Sequence, residues 1–185
     1  MTTTVPTQAY QLEADEKATP VMVYTPSHLA WGEVITKELI RLSTWLRTQA
    51  APQYIFLHNA QTMYAGAGSP APISVAELHI PITQVCAFHM IPPHQDPVDY
   101  DPNEPNRKMI PVSALVGSFR FDGLLRMSTQ SSLFTFLEVI KEVYTSLYEV
   151  KVYQPQRPSM TPLQVPFTLV RRDMALFSCQ AESRN

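Results

Sequence analysis

The stretch "WGEVITKELIRLSTWL" (residues 31–46) recurs in outline further along the chain as "DGLLRMSTQSSLFTFL" (residues 122–137). Gly32 and Gly123 stand 91 residues apart, and one threonine and two leucines of each stretch match at the same distance. Trp45 corresponds to another aromatic residue, Phe136. Because similarity at a fixed spacing is typical of repeated structural units, this stretch predicts that one unit occurs twice.

The segments that follow extend the match. Leu57 and Leu147 are 90 residues apart, and Phe88 and Phe177 are 89 residues apart. The spacing therefore changes by only one residue at each step. Two tandem copies of one unit explain this pattern; the alternative is that two α+β segments of this size fall into partial register by chance.

Each copy is predicted to contain a strand, a strand, a short helix, a strand and a strand, which makes the fold class α+β and mainly β. Phe119 and Phe121 alternate with Arg120 and Asp122, as in a half-buried strand. The helices are predicted from apolar residues spaced by three and four. These are Leu39, Leu42, Trp45 and Leu46 in the first copy and Leu133, Phe136, Leu137, Ile140, Val143 and Tyr144 in the second.

A unit of about 70 residues is near the lower size limit for an independent core. We therefore expect the two copies, as small barrels or bent sheets, to pack against each other about a pseudo-twofold axis. Aromatic helix residues supply one candidate interface, formed by Trp45, Phe134 and Phe136. The alternative is that each helix covers its own sheet. Ser128 or Thr129 is expected to cap the second helix.

These matches divide the chain into five segments. They are an N-terminal tail (1–20), a first copy (21–92), a linker rich in proline and acid (93–109), a second copy (110–180) and a C-terminal tail (181–185).

Composition limits the function classes. The 185 residues carry a net charge of -2, so nucleic acid is not an expected partner. No apolar run approaches the roughly 20 residues of a membrane helix, and the N-terminus lacks the basic start and apolar run of a signal peptide. Cys86 and Cys179, the two cysteines, give no metal framework. We expect a cytoplasmic protein with free thiols.

The glycine-rich segment "AGAGSP" (residues 65–70) raises the question of a phosphate-binding loop. Gly66 and Gly68 would let a backbone approach an anion closely. They are followed by prolines and a predicted strand rather than by a helix, and the corresponding loop of the second copy contains no glycine. The segment therefore predicts a turn between strands.

Asp99, Asp101 and Asn103 alternate like the first ligands of a calcium loop. The sixth position of such a loop requires glycine and here is Glu104, and the twelfth requires a bidentate acid and here is Ile110. The pattern favours a solvated acidic linker.

The histidines and cysteines show no ligand spacing. His79 and His89 are expected on one strand, separated by about 33 Å. His94 and Asp96 lie near His89 in sequence, and ordinary surface histidines are the expectation. Cys86 stands among apolar residues and is expected to be a buried, inert thiol. No catalytic, cofactor-binding or metal-ligating residue is assigned, and no cofactor is expected.

"VMVYTPSHLAWGEV" (residues 21–34), "RLSTWLR" (residues 41–47) and "YIFLHNAQ" (residues 54–61) resemble a small bacterial β-rich domain family. That family has an Arg-Leu-Ser-x-x-Leu helix between strands and a Sm-like or bent-sheet character. The matching residues are Arg41, Leu42, Ser43 and Leu46, whereas the second copy keeps only the leucines. The resemblance implies no catalytic residues.

The first functional hypothesis is a non-catalytic module for protein–protein contact or self-association. The second is a small-ligand or nucleotide sensor with a pocket between the copies, near Trp31, Trp45 and Tyr64. An enzyme ranks third, because no clustered polar chemistry is evident in the sequence.

Overall fold

The computed structural model describes residues 10–48, 51–66, 71–156 and 159–179. This part of the chain forms ten strands and two short helices. They are β1 (Glu16–Tyr24), β2 (His28–Lys37), α1 (Leu42–Trp45), β3 (Tyr54–Tyr64), β4 (Ile73–Pro81), β5 (Ala87–Met90), β6 (Arg107–Val116), β7 (Phe119–Ser128), α2 (Leu133–Val139), β8 (Tyr144–Tyr153), β9 (Leu163–Arg171) and β10 (Leu176–Cys179). Turns of 3₁₀ helix at Ile82–Gln84 and Arg172–Met174 precede β5 and β10.

All ten strands belong to one antiparallel sheet, in the order β10-β6-β7-β8-β9-β5-β1-β2-β3-β4. The prediction of a mainly β, α+β fold is confirmed. Two separate small barrels are not formed, because β5 and β9 join the strands into a single open sheet.

The order of elements in residues 16–90 is the same as in residues 107–179, including the 3₁₀ turn before the last strand. The first five strands are arranged as β5-β1-β2-β3-β4 and the last five as β10-β6-β7-β8-β9. The pairing of β2 with β3 shifts register beside Gly32, and that of β7 with β8 shifts beside Gly123. Asn59 and Glu149, on the facing strands, both have positive φ.

Glycine is required at these two bulges because the neighbouring strand approaches closely. A Cβ on Gly32 would lie 2.8 Å from the carbonyl oxygen of His58. One on Gly123 would lie 2.8 Å from Val150 Cγ2 and 3.0 Å from the carbonyl oxygen of Tyr148. The glycine match in the sequence therefore marks the same local geometry at two places in the sheet.

The sheet is continuous because β5 pairs with β9. These strands hold different places in their halves, since β5 follows a 3₁₀ turn and β9 precedes one. A twofold axis would join like strands. The expectation of packing about a pseudo-twofold axis therefore disagrees with the observed strand order.

Two hydrophobic cores lie on opposite faces of the sheet at this junction. Phe88 and Leu169 belong to one core, whereas Ala87 and Val170 belong to the other. Successive residues of a strand point to opposite faces, so β5 and β9 each supply side chains to both cores. This explains why all four residues of β5 are buried rather than every second one.

The helices are shorter than the sequence predicted. Helix α2 ends at Val139, and Tyr144 starts β8, so the predicted apolar stripe runs on into a strand. The cap of α2 is Ser132, whose hydroxyl accepts the Thr135 N–H at 3.1 Å, and neither Ser128 nor Thr129 holds that place.

The predicted aromatic interface between helices is not formed by these residues. Trp45 packs against the core that contains Leu169, and Phe136 packs against the core that contains Val170. Phe134 is 73% exposed. The core beside Trp45 also contains Tyr144 and Leu169 of the second half, and α1 contacts β9. The alternative that each helix covers only its own sheet therefore does not describe α1.

The predicted segment boundaries shift by a few residues. Strand β1 begins at Glu16, inside the expected N-terminal tail, and β6 begins at Arg107, inside the expected linker. Residues 91–106 between β5 and β6 form neither helix nor strand.

Candidate functional site: the free edges of the sheet

Strand pairing between β5 and β9 holds the two halves together. Ala87 lies opposite Val170, and Phe88 lies opposite Leu169. All four residues of β5 are buried. The short edge of β5 is therefore covered by the end of β9 that carries Leu169 and Val170.

A tyrosine and an arginine add polar contacts across this junction. The Tyr144 hydroxyl lies 3.3 Å from the carbonyl oxygens of both Ile82 and Val85 and can donate its hydrogen to either. Burial raises the pKa of Tyr144 to about 12, so the hydroxyl remains a donor at neutral pH. The Arg171 N–H donates to the Cys86 carbonyl oxygen at 2.8 Å, and its guanidinium donates to the Ile82 carbonyl oxygen at 3.2 Å.

Strands β4 and β10 are the two ends of the sheet. In the described part of the chain, β4 pairs with β3 and β10 pairs with β6, and each has its other edge unpaired. Each end strand exposes one large apolar side chain, Ile73 on β4 and Leu176 on β10. The neighbouring strands also expose Tyr54 and Leu115. An unpaired edge flanked by apolar side chains is a template for pairing with another chain.

A cluster of paired charges anchors the segment between the halves. Arg47 Nη1 donates to Asp99 Oδ2 at 2.7 Å and to Ser146 Oγ at 3.0 Å, and its Nε donates to Glu142 Oε2 at 3.2 Å. The Tyr148 hydroxyl donates to Asp99 Oδ1 at 2.7 Å. Burial and this hydrogen bond to a carboxylate raise the pKa of Tyr148. A cavity of about 190 Å³ adjoins the cluster, and Arg47 in its wall is already neutralised by Asp99 and Glu142.

The residues whose spacing resembles a calcium loop therefore bind other groups of the protein. Asp99 is not solvated, although the sequence predicted a solvated acidic linker. Asp101 uses a carboxylate oxygen to accept the Asn103 N–H at 2.8 Å, and its carbonyl oxygen accepts from Arg126 at 3.1 Å. Glu104 binds Arg107 at 2.9 Å and Arg126 at 2.7 Å. These contacts fold the segment into turns.

The two histidines expected on one strand lie on different strands. The 3₁₀ turn at Ile82–Gln84 separates them in the chain, and three strands separate β4, which carries His79, from β5, which carries His89. His89 is buried, which corrects the expectation of a surface histidine. Its Nδ1 lies 2.8 Å from the Met90 carbonyl oxygen and its Nε2 lies 3.0 Å from the Tyr24 hydroxyl.

Burial lowers the pKa of His89 to about 4. The imidazole is therefore neutral, with Nδ1–H donating to the carbonyl and Nε2 accepting from the tyrosine. Asp96, which lies near His89 in sequence, has a different partner: its Oδ2 accepts the Ser43 N–H at 2.8 Å. Among the residues that the structure describes, no three His, Cys, Asp or Glu side chains are grouped so that they could hold a metal ion.

Both cysteines are free thiols, as predicted. Cys86 is buried beside Met174, with 3.6 Å between the two sulfur atoms. Burial raises the pKa of Cys86 to about 11, which agrees with an inert thiol. Cys179 is exposed at the end of β10.

The three aromatic residues proposed for a ligand pocket lie in different surroundings. Trp31 lies opposite Met22 in the pairing of β1 with β2. The Tyr64 ring contacts the His28 ring, with 5.8 Å between centroids. Trp45 lines a cavity whose walls include neither Trp31 nor Tyr64. Of the glycine-rich segment, residues 67–70 lie outside the described part of the chain.

Two tyrosines in corresponding places were not identified from the sequence, Tyr144 beside the junction and Tyr54 beside β4. Tyr54 lies opposite Pro81 and Tyr144 lies opposite Arg171, so they hold the same place in β3 and β8. They are 90 residues apart, which is the spacing of Leu57 and Leu147. This spacing could have identified them.

No protein-family model, curated protein or solved structure matches this chain. Within the described ranges, none of the helices has the length and apolar character needed to cross a membrane.

Proposed function

We propose that this protein is a non-catalytic interaction module that binds other polypeptide chains by strand pairing at β4 and β10. The observation that carries the proposal is the junction of β5 with β9, where two edges of this sheet already bury each other. Strand addition uses backbone hydrogen bonds for affinity and flanking side chains for specificity. The apolar side chains exposed on β4 and β10 suit that mode.

We further infer that the chain contains two tandem copies of one five-stranded unit. The repeated element order, the two glycine bulges and the two residues with positive φ support this inference. The spacing of these features along the chain stays between 89 and 91 residues. On this basis β10 corresponds to β5, and β4 corresponds to β9.

A non-catalytic role is supported by the state of the titratable groups. His89 has both ring nitrogens hydrogen bonded inside the protein, and the Cys86 thiol is buried. Arg47 is paired with Asp99 and Glu142. A general base or nucleophile needs a free reactive atom that faces a substrate, and these groups are engaged in packing instead.

A synthetic peptide that copies residues 163–174, which span β9 and its 3₁₀ turn, tests the proposal. By correspondence with the β5–β9 junction, it is expected to pair with the free edge of β10. We expect saturable binding of the fluorescently labelled peptide to dilute protein in an anisotropy titration. We also expect slower amide hydrogen exchange in β10 when the peptide is bound.

The matched controls are a scrambled peptide and the variant Leu176→Lys, which places a charge on the edge that the peptide must cover. We expect at least a tenfold loss of affinity in each. Absence of saturable binding together with unchanged exchange in β10 would contradict the proposed function.

A further inference from the structure

The geometry points to a second copy of this chain as the partner, with β10 of one chain paired to β4 of the next, head to tail. This inference rests on the proposed function and names the occupant of the two edges. The template for the contact is the β5–β9 junction within the chain, which joins the same two kinds of edge.

Strand register defines which residues of β10 and β5 correspond. In the first half, Met90 lies opposite Val21, which in turn lies opposite the bulge glycine of β2. In the second half, Cys179 lies opposite Val112, which lies opposite the bulge glycine of β7. Cys179 therefore holds the place of Met90, and β10 is aligned with β5 residue by residue.

The same reasoning aligns β4 with β9. Ile80 lies opposite Ile55, the residue after Tyr54 in β3. Val170 lies opposite Thr145, the residue after Tyr144 in β8. Ile80 therefore holds the place of Val170. Transferring the β5–β9 register predicts the pairs Leu176 with Ile80 and Phe177 with His79 between chains.

The difference in burial between corresponding residues supports this occupant. Ala87 in β5 is fully buried, whereas Leu176, in the same place in β10, is 72% exposed. Tyr24 beside β5 is 1% exposed, and the corresponding Leu115 is 44% exposed. Both exposed positions carry leucine. Their counterparts lie at the junction, where Ala87 pairs with Val170 and the Tyr24 ring contacts Phe119 and Phe121 of the other half.

Tyr144 at the junction and Tyr54 beside β4 provide a second, independent argument. Tyr144 is 3% exposed because its hydroxyl reaches the backbone carbonyls before β5. Tyr54 holds the same place beside β4 and is 52% exposed. In the proposed assembly its hydroxyl would reach the corresponding carbonyls, those of Arg172 and Ala175, in the next chain.

One hydrogen bond of the template is absent from the proposed contact. Arg171 donates its N–H to Cys86 across the internal junction, and Pro81 in the same place on β4 has no N–H. We therefore expect the contact between chains to be weaker than the internal one. Because unlike edges meet, the contact is heterologous and each chain can bind one neighbour at each end.

Two variants that each block one edge test the head-to-tail arrangement. His79→Pro removes an N–H from β4 at the position of Leu169, whose N–H side faces β5 in the internal junction, and edge strands tolerate such a proline. Leu176→Lys blocks β10. We expect the unmodified chain to exceed its monomer mass of 20.9 kDa in light scattering as concentration rises. Each variant alone is expected to remain monomeric, and their equimolar mixture is expected to form a dimer.

A cysteine pair tests the register. Continuing the pairing by two residues places Cys179 opposite Glu77, where the Cα separation of facing residues suits a disulfide. Glu77→Cys is expected to cross-link to Cys179 of another chain under mild oxidation. The matched control, Ile73→Cys, lies on the same side of the same strand but about 13 Å away along it, and is expected to cross-link at least tenfold more slowly.

The outcomes separate this inference from the proposed function. A monomeric unmodified chain at high concentration, or dimerisation of either single variant by itself, overturns head-to-tail self-pairing. If the β9 peptide still binds, the edges function with a different partner. If neither the peptide nor a second chain binds, both proposals fail.

Discussion

Stability of this protein is expected to fall between pH 7 and pH 5 because His89 is buried as a neutral imidazole. Burial lowers its pKa to about 4 in the folded chain, against 6.5 for the free side chain. The unfolded chain therefore takes up a proton first as pH falls, and stability is lost from about pH 6.5 downwards. Tyr24 stays protonated throughout, since burial raises its pKa.

The size of the effect follows from these two pKa values. At pH 7 the imidazole is mostly neutral in both states, whereas at pH 5 it is charged mainly in the unfolded chain. Proton linkage then gives a loss of about 2 kcal/mol in the free energy of unfolding between pH 7 and pH 5. The carboxyl groups with shifted pKa values have reference values of 4.5 or below and titrate mostly under this window.

Urea unfolding at pH 7, 6 and 5 measures the loss directly. The Leu176→Lys background keeps proposed self-association out of the measurement. His89→Gln in that background keeps a donor and an acceptor but cannot titrate here, so its stability is expected to vary about 2 kcal/mol less over the same range. Equal pH dependence of the two proteins would refute the assignment of the effect to His89.

Three further results are expected. Gly32→Ala and Gly123→Ala should each lower the free energy of unfolding by about 1–3 kcal/mol, because a Cβ would lie 2.8 Å from an atom of the facing strand; urea unfolding at neutral pH would show this, and wild-type stability in both would contradict the bulge geometry. Asp99→Asn should expose residues 91–106 to limited proteolysis several-fold faster, because the ion pair at 2.7 Å with Arg47 is lost; an unchanged cleavage rate would argue against that anchor. Ellman's reagent should modify Cys179 at once and Cys86 only after unfolding, because only the first is exposed; prompt reaction of two thiols per chain would disprove the burial of Cys86.

Individual strands could be predicted from the sequence because the alternation of apolar and polar residues is a property of neighbouring positions. Alternation of Phe119 and Phe121 with polar residues predicted a strand, and that strand is β7. The lengths of the helices were not predicted, because apolar residues of α2 and of β8 follow each other without a break in pattern. Tyr144 fits the helical spacing but belongs to a strand whose partners lie elsewhere in the chain.

The surroundings of Asp99 and His89 were harder to predict because their partners lie far away in the sequence. Asp99 lies in a polar, proline-rich segment that looks solvated, yet Arg47 and Tyr148 enclose it from two different halves. His89 is polar by type, and its burial depends on a phenol from β1. Sequence separation hides both contacts.

By itself, the sequence determined that similar elements follow one another twice, since spacing and periodicity are properties of the chain that need no third dimension. Only the tertiary structure decided how the halves meet, with β5 against β9 and with β4 and β10 left at the ends. The physical reason is that every antiparallel edge presents the same backbone donors and acceptors. The choice between edges depends on the side chains that each pairing buries, and these come together only in the folded sheet.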